Sequence, residues 1–131
     1  MIRAFALAAA LAVQAAPPAV IPPEALIQKQ VDAYNAHDLE AFLACYGEAI
    51  EFRTMDGKVG PEKGLAALRK GYADLFKRFP NLQVKILKRI TQGTFVIDQE
   101  QAEGMDSEPV TVTAIYETGQ GKIVHVWFIE G

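Results

Sequence analysis

The chain has 131 residues, 50% of them hydrophobic, with 13 Lys and Arg against 16 Asp and Glu, a net charge of −3 and one cysteine. That length suits one domain around one core. The acidic balance argues against nucleic acid or an anionic membrane surface as partner, and a single cysteine excludes an internal disulfide.

Met1-Ile-Arg3 is a short positive start, Ala4 to Val13 is an apolar run, and Val13-Gln-Ala15 offers small residues where a signal peptidase reads. Residues 1–15 are therefore expected to be a cleaved secretory signal, 16–23 a stiff proline-rich lead-in, and 24–131 the working domain, in the periplasm or outside the cell. Ala4 to Val13 is too short to span a bilayer, which takes about 20 apolar residues, so no membrane association is expected.

A first helix should start at Pro22-Pro23-Glu24, where proline suits the first turn and an acid suits the helix dipole. Its inner face is Leu26, Ile27, Gln30, Val31 and Tyr34. Asp38 stands where an N-cap belongs, and Leu39, Phe42, Leu43 and Tyr46 form the stripe of a second short helix that Gly47 should stop. Ala49 to Thr54 reads as a strand, and Gly57-Lys-Val-Gly60 as a turn rather than a phosphate cradle. A third helix is expected from Gly60-Pro61-Glu62 to about Phe79, with Leu65, Leu68, Tyr72, Leu75 and Phe76 on its apolar side and Pro80 ending it.

Beyond Pro80 the period changes to that of strands: Leu82 to Ile90, Phe95 to Ala102, Val110 to Thr118 and Ile123 to Glu130. The separators Gln92-Gly93, Gly104-Met-Asp-Ser107 and Gly119-Gln-Gly121 suit hairpins, so the four should form an antiparallel meander. Helices early and strands late give an α+β fold with helices against one face of a sheet. In the last strand Val124, Val126 and Phe128 point one way, and Ile123, His125, Trp127 and Ile129 the other. Both faces are apolar and helices cover only one, which predicts a homodimer through the outer sheet face.

Cys45, beside the apolar stripe, reads as a packing thiol, and His37 at the helix break as a cap or solvent-facing group. Two distant histidines and one cysteine give no metal-binding spacing, and no cofactor is implied. Asp98 and Glu100 are expected to face outward, alternating with an inward set of Phe95, Ile97, Gln99 and Gln101.

Val31-Asp-Ala-Tyr-Asn-Ala-His-Asp-Leu39, the following Phe42 and Tyr46, and the closing Gly121-Lys-Ile-Val124 resemble the nuclear transport factor 2 superfamily, in its SnoaL-like and ketosteroid isomerase branch. The resemblance covers residues 24–130. It implies a cone-shaped α+β barrel, three N-terminal helices packed on a strongly curved, mostly antiparallel sheet, with an apolar pocket inside and frequent dimers. It also implies catalytic positions. Those of the ketosteroid isomerases, a tyrosine, an aspartate base and a second aspartate, align with Gln30, Thr54 and the neighbourhood of Ala114. The histidine and aspartate of the polyketide cyclases align with Val126 and Phe128. None of these acids or bases is retained, and threonine cannot serve as a base near neutral pH.

The expected ligand contacts are Gln30, Tyr34, Tyr46, Thr54, Gln99, Val126 and Phe128. The leading expectation is an exported domain that binds a small apolar molecule without the family's usual catalytic acids. One alternative is an enzyme of the steroid isomerase, cyclase or hydratase kind, with Tyr34 or Tyr46 as donor and Glu51 or Glu117 as base. The other is a protein-interaction module on the outer sheet around His125 and Trp127.

Overall fold

The structure, a computed structural model, describes residues 21–57 and 62–130. The expected signal, the lead-in as far as residue 20, most of the Gly57–Gly60 turn and the expected helix start at Gly60-Pro61 lie outside those residues. Helix α1 runs Pro23–Asn35, with proline in its first turn, Glu24 beside it, and Leu26, Ile27, Gln30 and Val31 buried. Its end is fixed by His37, whose φ of 54° breaks the helix, and by Asp38 N–H donating to Ala33 O at 3.0 Å.

Asp38 then caps α2 (Leu39–Leu43), accepting at Oδ1 from Ala41 N at 3.1 Å. This helix is shorter than its apolar stripe suggests. Tyr46 is already the first residue of strand β1 (Tyr46–Thr54), so Gly47 lies in a strand and does not stop the helix. The reason is competition for backbone bonds: β1 starts pairing with the last strand at Tyr46, and Cys45 O accepts from Ile123 N at 2.8 Å. A five-residue helix has little cooperative stability to set against sheet pairing.

The third helix also starts later than expected. Glu62–Lys63 forms a short strand, β2, antiparallel to β1, and α3 spans Leu65–Arg78. Gly64, at φ 89° and bonded through its N–H to Ile50 O at 2.8 Å, is the joint between them. A left-handed residue anchored to β1 cannot continue a helix backward.

The remaining strands are β3 (Gln83–Gln92), β4 (Phe95–Glu103), β5 (Val110–Gly119) and β6 (Lys122–Glu130), the expected antiparallel meander. The sheet order is β2-β1-β6-β5-β4-β3, and among the described residues only the β1–β6 pair is parallel. Helix α1 packs over β3, β4 and β6, and α3 over β1 and β2, which makes the α+β architecture of a curved sheet closed by helices. Phe42, Ile27, Ile50, Leu82, Val96 and Val126 are the large side chains at the centre of the core.

Two irregularities decide which side chains enter that core. Between Ile86 and Lys88 the β3 register slips by one residue, so Val84 and Ile86 face the helices before it and Arg89 after it, leaving Ile90 60% exposed. Between Glu117 and Thr118 the β5–β6 register slips past Val124, so Ile123 and Val126 are both fully buried. Strict alternation had placed Ile123 outside with His125. A one-residue bulge reverses every assignment beyond it.

Candidate functional site

The helices and the sheet form a cavity of about 190 Å³ that is partly open to solvent. Gln30 and Tyr34, one turn apart on α1, Tyr46 at the start of β1, Tyr72 on α3, Glu100 on β4 and Tyr116 on β5 supply its polar groups. Val84, Ala102, Val112 and Phe128 supply apolar wall. The aromatic side chains hold one another in place: Phe42 lies 4.5 Å from Tyr72 and 4.9 Å from Tyr46 between ring centroids, and Tyr34 meets Phe76 edge-on at 5.4 Å. Among the described residues no Lys or Arg lines the cavity, whereas Glu100 and Glu130 do.

Glu100 is the chemically distinctive group. Burial in this apolar surround pushes its carboxyl up to about 7, with the negative field of Asp98 acting in the same direction. Tyr116 donates its hydroxyl to Glu100 Oε1 at 2.7 Å, and this bond, with the charge of Arg89, pulls the other way. The phenols of Tyr34, Tyr46, Tyr72 and Tyr116 are all raised above their ordinary value, chiefly by burial and further by Glu100. They therefore stay protonated near neutral pH, as hydrogen-bond donors. The result is an acid half-ionised near neutrality beside neutral donors in an apolar chamber.

Beneath Glu100, Asp98 is fully buried and accepts two bonds from Arg89, from Nε at 2.7 Å and from the terminal Nη2 at 2.8 Å. Arg89 also donates to Gln28 Oε1 at 2.8 Å, and Gln28 donates to Asp32 Oδ1 at 2.8 Å, tying the pair to α1. A forked guanidinium on a carboxylate is the arrangement that offsets burial of both charges. The β3 bulge is what turns Arg89 inward to meet Asp98.

These positions overturn the expected β4 alternation. Val96, Asp98 and Glu100 face the helices, while Phe95 and Gln99 are exposed on the other side. Gln99 is therefore not a cavity group. The apolar side of β4 was misleading because the outer face of this sheet is also apolar, and the inner face carries acids that Arg89 and Tyr116 satisfy. Glu51 bonds Arg53, and Glu117 lies 3.5 Å from His125 Nδ1. Neither lines the cavity, unlike Glu100, which had been assigned outward.

Among the other expected contacts, Gln30, Tyr34, Tyr46 and Phe128 come together around the cavity. Thr54 lines an adjoining cavity of about 210 Å³ that shares Tyr72, Phe128 and Glu130 with the first. Val126 is fully buried in the core. Tyr72, Glu100 and Tyr116 were missed as site groups. Helical spacing had marked Tyr72 only as core, and correct β4 phasing would have exposed the Glu100–Tyr116 pair. Burial raises the Cys45 thiol, whose Sγ donates to Ala41 O at 3.5 Å, so it packs rather than reacts. His37 helps end α1, its N–H donating to Tyr34 O at 3.0 Å, and its half-buried side chain has partners the sequence did not suggest: Nε2 donates to Leu82 O at 2.7 Å and the ring stacks on Phe76. Among the described residues no group of three or more His, Cys, Asp or Glu is placed to hold a metal, and no helix is long and apolar enough to cross a membrane.

No curated protein matches the chain. Solved structures share its architecture. An uncharacterized cystatin fold protein from Novosphingobium aromaticivorans is 25% identical, over 84% of this chain and 99% of that one, with a TM-score of 0.76. A SnoaL-like protein of unknown function from Burkholderia thailandensis is 16% identical, over 83% and 94%, at 0.71. An LEH-like epoxide hydrolase from M. tuberculosis is 14% identical, over 81% and 80%, at 0.71, a likeness of fold. Residues 27–126 match the model of the SnoaL-like domain, and with this fold the chain belongs to the SnoaL-like family of the nuclear transport factor 2-like superfamily.

Proposed function

We propose that the cavity binds a small, uncharged, largely apolar carbonyl compound and that Glu100 moves a proton on it. One observation carries this reading: a carboxyl raised to about 7 on the wall of an apolar cavity, with Tyr116 donating to it at 2.7 Å. An acid matched to the working pH can both take and return a proton, which general acid–base catalysis requires. This reading keeps the small-molecule site expected from the sequence. It adds an acid that Thr54, Gln30 and Ala114 do not supply.

The step balances without a cofactor. Glu100 as carboxylate takes the proton from the carbon next to the carbonyl, and that C–H pair becomes the enolate double bond. A cavity phenol, Tyr34, Tyr46 or Tyr72, donates to the enolate oxygen while charge develops there. In a ketone with a double bond between its β and γ carbons the enolate is a dienolate, and protonated Glu100 then returns the proton at the γ carbon, which shifts the double bond and leaves the conjugated isomer of the starting ketone. The reaction class is isomerisation, with ring closure through the same enolate as its relative.

Conversion of 3-cyclohexenone to its conjugated isomer, followed by ultraviolet absorbance, tests this directly. Glu100→Gln should lower the rate by about 10² to 10⁴ while leaving the fold intact. Equal rates for the wild type and Glu100→Gln would refute it.

Two further parts of the reading concern where and how the protein works. We infer export from residues 1–15, supported by their composition alone; a mass measured on protein recovered from the periplasm of an expressing bacterium should lack them. We also infer a homodimer through the outer sheet face, supported by the exposure of Ile90, Phe95 and Ile129 there. Light scattering after size exclusion should give twice the chain mass, and Trp127→Glu should halve it.

A further inference from the structure

Three side-chain amides lie along α1, and two are fully engaged. Gln28 donates to Asp32 and accepts from Arg89, and Asn35 donates to Val84 O at 2.9 Å and accepts from Val84 N at 2.7 Å. Gln30 differs. It is only 5% exposed, it lines the cavity, and its Oε1 is buried with no hydrogen-bond partner among the described residues. A buried acceptor left open costs stability that the chain would recover by turning the side chain out or supplying a donor. The phenols lining the same cavity do not meet it.

Size and charge narrow what would meet it. An apolar cavity of about 150 Å³ accepts a benzene ring, and this one measures about 190 Å³. The space suits one ring with short substituents, and a longer substituent would extend past Tyr72, Phe128 and Glu130 into the adjoining cavity of about 210 Å³. With Glu100 and Glu130 on the wall and no cation among the described lining residues, an anionic ligand is disfavoured.

We propose that the ligand is a neutral one-ring carbonyl compound that also carries a hydrogen-bond donor, a hydroxyl or amino group, which it gives to Gln30 Oε1. This rests on the cavity being a small-molecule site, and it assigns Gln30 the selection of hydroxylated or aminated molecules over their bare or methylated counterparts. The preference arises because the Gln30 oxygen is already buried without a partner among the described residues: a ligand that brings a donor gains the missing bond, and one that lacks it gains nothing there.

A matched series tests it: 4-hydroxyacetophenone, 4-aminoacetophenone, 4-methoxyacetophenone and acetophenone, titrated by calorimetry into the wild type and Gln30→Met. Methionine has nearly the same length and no amide oxygen. The wild type should bind the hydroxyl compound, the amino compound or both about tenfold more tightly than the methoxy compound, a difference of about 1.4 kcal/mol. Gln30→Met should erase that preference while its affinity for acetophenone changes less than twofold.

Equal wild-type affinities for the hydroxyl, amino and methoxy compounds overturn the proposal, as does a preference that survives in Gln30→Met. If none of the four binds at millimolar concentration, the size class is wrong and the proposal falls. If Gln30→Met unfolds, the Gln30 side-chain amide resonances of the wild type decide: they should move with the donor compounds and not with acetophenone. The Glu100→Gln assay fails or succeeds separately, because it reads proton transfer whereas this series reads only affinity.

Discussion

Replacing Glu100 by glutamine should stabilise the protein, by an amount that depends on pH. The folded carboxyl holds its proton up to about 7, whereas an ordinary glutamate releases it near 4.5. Between those values the native state binds more protons than the unfolded chain, so stability is fully present below about 4.5 and is lost as pH rises through about 7. At about 1.36 kcal/mol per pH unit the whole window corresponds to about 3 kcal/mol. Solvent at the cavity mouth screens part of this, leaving about 2 to 3 kcal/mol. In Glu100→Gln the new amide carries no charge and its oxygen still accepts from Tyr116, so the variant loses the penalty and keeps the bond.

Urea unfolding of both proteins at intervals from pH 4.5 to 8.5, followed by circular dichroism, gives the difference directly. Other titrating groups are common to both proteins and cancel. The two should match at the acid end, diverge through neutrality and run parallel above it, with Glu100→Gln ahead. Curves that stay parallel throughout, or a variant less stable than wild type at pH 8, would refute the reasoning. The expected pattern is that of a working group kept at a cost to stability.

Asp98→Ala should cost about 3 kcal/mol in the same denaturation assay, because it strips the largely buried Arg89 guanidinium of its carboxylate and leaves it only the neutral Gln28 oxygen. Asp98→Leu combined with Arg89→Met should recover most of that loss. Asn35→Ala removes both bonds that fasten the end of α1 to β3 at Val84, for an expected loss of about 2 kcal/mol in chemical denaturation. Gly104→Ala should lower the melting temperature, since its φ is 96° and a Cβ there would stand 2.4 Å from Asn81 O.

Local chemistry in the sequence determined a large part of this protein. Proline and glutamate at the start of α1, the Asp38 cap, the apolar stripe of α3 and the glycine-bearing hairpins each depend on a few neighbouring residues, and each stands where short-range physics puts it. The motif from Val31 to Leu39 carried the family, because a helix break with a capped restart is a local signature. Gln30, Tyr34 and Phe128 were legible as cavity groups for related reasons: helix spacing and alternation within the last strand fix their side, whereas Tyr46 reaches the cavity from β1 and not from the helix its spacing suggested.

Tertiary structure alone decided the rest. Tyr46 became a strand residue because β6 offered it backbone partners from the far end of the chain. Bulges near Leu87 and Val124 reversed the facing of everything past them, and nothing in the residues on either side announces a one-residue slip. On β4 both faces are apolar in part, so alternation could not say which side was inside. That was settled by Arg89 reaching Asp98 and Tyr116 reaching Glu100, partners 9 and 16 residues away along the chain. The acid on the wall of the cavity was therefore visible as a residue from the start, while its burial, its partner and its raised proton affinity arise only when two helices and five strands close around it.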